Sequence, residues 1–327
     1  MIKHIYVEKT IRDHPRTLSI LKKFPTNRVI ECEHYGQIFN KHNQSFRVQK
    51  QYPSLILAEK KNKRILPAPP SLEMDKPCYY FSHMLNCVYD CRYCFLQGMF
   101  NSANYVIFIN YEDFYSDILK ISEENKRNVV FFSGYDCDSL ALEPITEFAN
   151  SFLPIFRGLR YSTLELRTKS TQIRSLLETE VLPNVICSFS LNPEEIINQF
   201  EHKTPSLQSR IKCIQKLSEA GWSIGLRFDP VVLTDNFKKI YSQAFNQIFS
   251  SIQVDKIESV TIGTFRVSSG QMKRMLKDYP KEWLYHTVTS KSDNRIGYAP
   301  QINQTIIAWC EEQLRLHLKN IPIYIQE

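Results

Sequence analysis

From residue 79 onward, short apolar runs alternate with stretches whose apolar residues recur at helical spacing. The strand candidates are CYYFSHML (78–85), NVVFFSG (128–134), STLELRTK (162–169), NVICSFSLN (184–192), WSIGLRFDPVV (222–232) and IESVTIGTFRV (257–267). Most are β-branched or aromatic and apolar at successive positions, which predicts strands covered on both faces, as in a parallel sheet. Between them YEDFYSDILKISEENKR, LEPITEFANSFLPIFRG, TQIRSLLETEV, SLQSRIKCIQKLSEAG and DNFKKIYSQAFNQIFSSI read as amphipathic helices. Strand and helix alternating about six times predict an α/β fold with helices outside a parallel sheet.

Such a sheet is either open and doubly wound or closed toward a barrel. The chain has nine glycines and no G-x-G-x-x-G after any of these strands, so the dinucleotide-binding fingerprint is missing. The expected architecture is therefore a partial (β/α)6 TIM-type barrel with an N-terminal extension and a C-terminal hairpin/helix region. Residues 1–76 form the extension, with a basic run (Lys60, Lys61, Lys63, Arg64) and a connector near 66–77. Residues 77–280 form the barrel. Residues 281–327 hold a polar loop, a helix at 301–318 and a short IPIYI strand. In a barrel, chemistry sits at the C-terminal strand ends. There fall the cysteines after strand one, YDCDS (135–139) after strand two, Lys169 at the end of strand three, Ser190 and Asn192 after strand four, and Asp229 in strand five.

Composition narrows the class. Of 327 residues 43% are hydrophobic and 23% charged, which excludes a disordered or fibrous chain. No apolar run reaches the roughly 18–20 residues of a membrane span, and the start lacks an apolar signal region, so a cytosolic protein is expected; a monomer is expected as well. The net charge of +7 is compatible with a polyanionic partner without requiring one. The nine cysteines make a poor disulfide framework, being odd in number and mostly far apart. Cys187 and Cys213 read as buried hydrophobes.

The exception is NCVYDCRYCFLQ (86–97), where Cys87, Cys91 and Cys94 crowd together. Structural zinc wants four ligands, and the nearest candidates for a fourth are Cys78 and His83, just upstream. A four-iron cluster with three protein thiolates leaves one iron open to a small molecule. Cys-x3-Cys-x2-Cys after the first barrel strand resembles the signature of the radical S-adenosylmethionine (SAM) enzymes. That resemblance implies a [4Fe-4S] cluster whose open iron is chelated by SAM. It also implies a low-potential electron donor such as flavodoxin or ferredoxin. Tyr93 supplies the aromatic usual before the third cysteine.

Within that superfamily the chain resembles the spore photoproduct lyase family, which reverts a thymine–thymine adduct in UV-damaged DNA. CRYCFLQ (91–97), FSLNPEEIINQFEHKTPSLQSRI (189–211) and AGWSIGLRFDPVV (220–232) carry the likeness, which spans nearly the whole chain. It implies Cys87, Cys91 and Cys94 as cluster ligands and Lys169, Ser190, Asn192 and Asp229 as SAM contacts. Asn192 has an alternative as a helix N-cap before Pro193. Cys137 stands where the family places the cysteine that returns a hydrogen atom to the product radical; its neighbours Asp136 and Asp138 would keep the thiol protonated.

Two positions depart from the family. The tyrosine after the third cysteine is Phe95 here, so a relay that regenerates SAM falls to Tyr93, Tyr135 or another group. The late hairpin KSDNRIGYAPQ (291–301) matches loosely, leaving Lys291, Arg295 and Tyr298 as candidate contacts to phosphate or a base, with the basic N-terminal run as a further backbone grip. Two other readings stay open. One is a radical SAM enzyme acting on a peptide, RNA base or small metabolite; the other is a non-enzymatic, metal-stabilised nucleic-acid-binding protein.

Overall fold

The computed structural model describes residues 2, 4–69, 76–125, 128–288, 290–292 and 294–326. Seven parallel strands follow one another across a single sheet in chain order: Cys78–Phe81, Val129–Ser133, Ser162–Thr168, Val185–Ser190, Ser223–Val231, Ile257–Thr264 and Ile323–Gln326. Ile65–Pro67 adds an antiparallel edge beside the first. This is the partial barrel expected, widened by one strand at each end. Residues 70–75 of the expected connector lie outside the described residues.

The helices cover the outer face through aromatic packing. Phe148, Phe152 and Phe156 of the helix Phe148–Phe156 are fully buried against Phe81 and Phe131. The Phe81 and Phe152 rings stack at 5.3 Å. Each such side chain contributes about 1.5–3 kcal/mol by leaving water.

A second sheet runs Arg28–Cys32, His4–Glu8, Leu55–Ala58, Tyr105–Phe108 and Met84–Leu85. Its last two strands come from beyond residue 77. The run 78–85 is therefore two strands, broken at Ser82 and His83, because the chain leaves the barrel to join the N-terminal sheet. The loop 86–104 is thereby anchored at both ends, by Met84–Leu85 and by Tyr105–Phe108, which pair antiparallel.

Three further local outcomes differ from expectation. TQIRSLLETEV gives only the turn Arg174–Leu177, since Thr179 bonds the Ser175 carbonyl (2.7 Å) and Pro183 stops any extension. The stretch 142–158 is two helices, divided at Glu147 with φ of 49°. The helix Ser269–Asp278 was not expected, though its start is a capping box of Ser268 and Gln271. Cys187 and Cys213 are buried.

Candidate active site

A cavity of about 500 Å³ opens at the C-terminal ends of the barrel strands, a size suited to a cofactor-sized ligand. Cys87, Cys91, Cys94, Tyr93, Phe95, Tyr135, Cys137, Lys169, Ser190, Asp229 and Arg295 all line it. Tyr135, Cys137, Lys169, Ser190 and Asp229 come together because each lies at or just past the C-terminal part of a barrel strand, while the cysteine loop and the hairpin residue Arg295 line the same cavity from outside the barrel sheet.

The cysteine loop is built by backbone pairing. Asn86, with φ of 67°, donates to the carbonyls of Ser102 (2.8 Å) and Asn104 (2.7 Å), pinning the loop's start to its end. Asp90–Cys91 pairs antiparallel with Glu201–His202, and the Arg92 N–H donates to Phe200 O at 2.7 Å. The Arg92 guanidinium lies 3.8 Å over the Tyr279 ring, while Tyr285 donates to the Arg92 carbonyl at 2.7 Å. Gly98 sits so close to the Ser269–Asp278 helix that a Cβ would come within 2.5 Å of the Gln271 carbonyl oxygen.

Among the described residues no three His, Cys, Asp or Glu side chains converge tightly enough for one metal ion. Three thiols spread around one cavity suit three corners of a cluster, whose irons are themselves apart. Burial pushes the Cys87 thiol up to about 12, Asp138 adding to the effect and Lys50 opposing it.

Beneath the loop lies a buried polar network. The Tyr93 hydroxyl donates to Glu201 Oε1 and accepts from Asn192 Nδ2 at 3.2 Å. Asn192 also donates to Glu201 Oε1 (3.0 Å), and its Oδ1 accepts from the Tyr241 hydroxyl (2.9 Å). Arg210 pairs with Glu201 Oε2 and reaches the Ser190 carbonyl at 2.9 Å; the Glu201 and Arg210 side chains are both 0% exposed. Asn192 is therefore neither the helix cap, a place taken by Pro193, nor a cavity-lining residue. It joins the cluster loop to the strand end carrying Ser190. The roles of Glu201 and Arg210 were missed in the sequence, although both stand inside the F-E-x-x-T…R-I stretch quoted above. Lys169 lines the cavity with Nζ 5.5 Å from the Tyr93 ring centre.

Cys137 follows Gly134, whose φ of +77° turns the chain at the barrel mouth. Asp138 fixes the turn by accepting from the N–H groups of Leu140 (3.0 Å), Ala141 (2.9 Å) and Lys169 (2.7 Å) and from the Thr168 hydroxyl (2.6 Å). Burial, then Asp136, Cys87 and Asp138, push the Cys137 thiol well above its ordinary value, so the sulfur keeps its hydrogen. His83 Nδ1 lies 4.0 Å from the sulfur, and burial holds this imidazole down to about 3, too weak a base to take the proton. The half-buried Tyr135 ring lies 5.3 Å from the Phe95 ring.

Inside the barrel Glu165 accepts from Arg167 Nε (2.7 Å) and Arg227 Nε (2.9 Å). Burial alone would raise this carboxyl, but the two guanidinium groups outweigh it and hold it near about 2, against an ordinary 4.5. A carboxyl held below its ordinary value stabilises the fold above that value and loses the contribution as pH falls through the folded one. The stability gap between wild type and Glu165→Gln, read by urea unfolding of the metal-free chain, should stay level down to about pH 5 and close toward pH 2. A gap unchanged down to about pH 2 contradicts this.

Asp229 is held in a two-pronged pair with Arg266 (2.9 and 3.3 Å) at the cavity wall. Of the hairpin residues, Arg295 is exposed and lines the cavity, and Lys291 is exposed on the strand Ser290–Ser292. Tyr298 is a correction: it is 7% exposed and its hydroxyl accepts the Leu233 N–H at 3.0 Å, so it does not face a base. Of the basic N-terminal run, Arg64 pairs with Asp117 (2.7 and 3.1 Å) and Lys60 lies over the Phe108 ring at 4.8 Å, so these two serve internal packing, whereas Lys61 and Lys63 are exposed. Among the described residues no helix is long and apolar enough to cross a membrane.

A family model described as spore photoproduct lyase matches residues 2–304. The spore photoproduct lyase of Clostridium acetobutylicum is 24% identical over 287 residues, covering 86% of this chain and 83% of its own. That of Bacillus subtilis is 22% identical over 287 residues, covering 85% and 82%. A solved structure of a spore photoproduct lyase double mutant with bound AdoMet and dinucleoside spore photoproduct superposes with a TM-score of 0.85 at 17% identity. It covers 100% of this chain and 98% of that one. A spore photoproduct lyase complexed with dinucleoside spore photoproduct gives 0.86 at 17% identity, with 99% of both chains covered.

Proposed function

The chain belongs to the spore photoproduct lyase family of radical SAM enzymes, and from that premise we propose that it reverts a UV-induced thymine–thymine adduct in DNA with Cys137 as hydrogen-atom donor. The single observation that carries the reading is one cavity lined by the three clustered thiols, Lys169 and Cys137.

Cys87, Cys91 and Cys94 would hold the cluster, and Lys169, Ser190 and Asp229, which line the same cavity, would contact SAM. The chemistry that cluster and SAM supply together, when bound, is reductive cleavage of the sulfonium to a 5′-deoxyadenosyl radical. A lesion must leave the base stack to enter the cavity, at a cost of a few kcal/mol that is least for a damaged step. Once the bond joining the thymines has broken, the product radical needs one hydrogen atom. Cys137 presents a protonated thiol to the same cavity.

We assign the return of hydrogen to Cys137 to Tyr135, whose hydroxyl would give its hydrogen atom to the Cys137 sulfur and would be restored by one taken from 5′-deoxyadenosine. The Tyr93 hydroxyl is already donated to Glu201 beneath the loop, while Tyr135 stands on the cavity wall two positions from Cys137. Arg295 and Lys291 are the backbone contacts of the DNA. Residues 1–76 form an extension packed on the barrel of 77–280 and residues 281–327 a C-terminal hairpin/helix segment, each lending one edge strand to the barrel sheet. The same reading has a monomer working in the cytosol with a flavodoxin or ferredoxin as electron donor.

The test is anaerobic turnover of dinucleoside spore photoproduct with SAM and a reductant. Wild type should release the two thymidines. Cys137→Ala should still form 5′-deoxyadenosine while intact thymidine falls by about 100-fold, about 2.7 kcal/mol on that step. Tyr135→Phe should repair while consuming more SAM per lesion. Unchanged product from Cys137→Ala rules out the donor role; SAM cleavage by wild type with the adduct untouched rules out the substrate.

A further inference from the structure

The cysteine loop is held by a side chain that the barrel does not own. In the N-terminal segment the helix Phe46–Gln51 starts at Ser45, whose hydroxyl accepts the Val48 N–H at 3.4 Å. Phe46 and Lys50 are one turn apart, so they share a face, and both line the cavity. Lys50 is 7% exposed, a burial that lysine tolerates only with partners. Its partners belong to the cysteine loop: Nζ donates to Cys87 O at 3.0 Å and to Tyr89 O at 3.1 Å. The same helix holds the far end of the loop, since Gln49 Oε1 accepts from the Ser102 hydroxyl (3.1 Å) and the Ala103 N–H (2.9 Å).

Two carbonyls accept from two of the ammonium's three donors without neutralising its charge. We propose that Lys50 is a positioning residue for the iron–sulfur centre, fixing the loop between Cys87 and Cys91 and setting a positive charge beside the cluster that favours its reduced form. The inference rests on the cluster assignment to Cys87, Cys91 and Cys94. Cluster potentials respond to nearby charge and to hydrogen bonding around the ligands, and in a partly desolvated site a fixed charge acts more strongly than in water. Reduction adds an electron to an already anionic centre, so the lysine should raise the midpoint potential. Residues 1–76 would then belong to the catalytic centre rather than act as a remote support.

Lys50→Met and Lys50→Arg separate charge from bulk. After anaerobic reconstitution of the full chain, the cluster midpoint is followed by EPR-monitored redox titration. Lys50→Met should titrate at a lower midpoint, and Lys50→Arg at or near wild type. In the cluster-free chain, amide exchange across residues 87–94 should quicken about tenfold or more in Lys50→Met, the worth of a charged hydrogen bond. A fully loaded Lys50→Met with the wild-type midpoint overturns the proposal, as does unchanged amide exchange. A wild-type chain that takes up no cluster overturns the cysteine assignment instead, and the exchange measurement then still decides whether Lys50 holds the loop.

Discussion

A chain carrying Cys91→Ala is expected to emerge from anaerobic reconstitution without the visible thiolate-to-iron absorption, and to repair at least about a thousandfold more slowly than wild type, about 4 kcal/mol on the barrier. The loss should be chemical rather than structural. Cys91 is held in place by backbone pairing with Glu201 and its neighbour Arg92 by the Phe200 carbonyl, neither of which needs the thiol. Iron content and far-UV circular dichroism, measured on the same sample, separate the two. Wild-type iron and activity in Cys91→Ala would remove this cysteine from the ligand set.

Arg210→Met is expected to be the most destabilising single change, at about 3–5 kcal/mol, because it leaves a carboxylate buried without its partner. The Arg210 guanidinium serves Glu201, Thr204, the Pro205 carbonyl and the Ser190 carbonyl together. Its removal should loosen two things at once, the strand end bearing Ser190 and the Tyr93 anchor of the cysteine loop. Thermal unfolding should fall by about 10 °C, at a few degrees per kcal/mol. The double variant Arg210→Met/Glu201→Gln should recover part of that loss, since deleting the stranded charge is milder than leaving it. A double variant no better than the single one would mean that packing, not charge, sets the cost.

The barrel was legible because parallel strands buried on both faces read as unbroken apolar runs, and six such runs lie in order along the chain. Tyr105–Phe108 has the same apolar character, yet its partner is Leu55–Ala58 from the N-terminal segment, and pairing between distant segments leaves no mark in a local pattern. The cysteine loop was legible from its spacing. Its supports were not: Lys50, Glu201 and Arg210 are charged residues within or beside helices, where solvation is the ordinary expectation. In the sequence Asn192 reads either as a helix cap or, through the family resemblance, as a SAM contact. The structure gives it a third place, because Tyr93, Glu201 and Tyr241 converge on it from three different elements. Tyr298 looked like a loop aromatic, but the backbone N–H of Leu233 meets its hydroxyl inside the protein.

The central claim is that three thiolates leave one iron for SAM. Its most direct test is the EPR spectrum of the reduced, reconstituted protein with and without SAM isotopically labelled at its amino and carboxylate groups. The account predicts a shifted signal with hyperfine coupling to the labels, which Cys94→Ala abolishes. A reduced cluster whose spectrum is identical with and without SAM, or a protein that binds zinc and no iron, would contradict it.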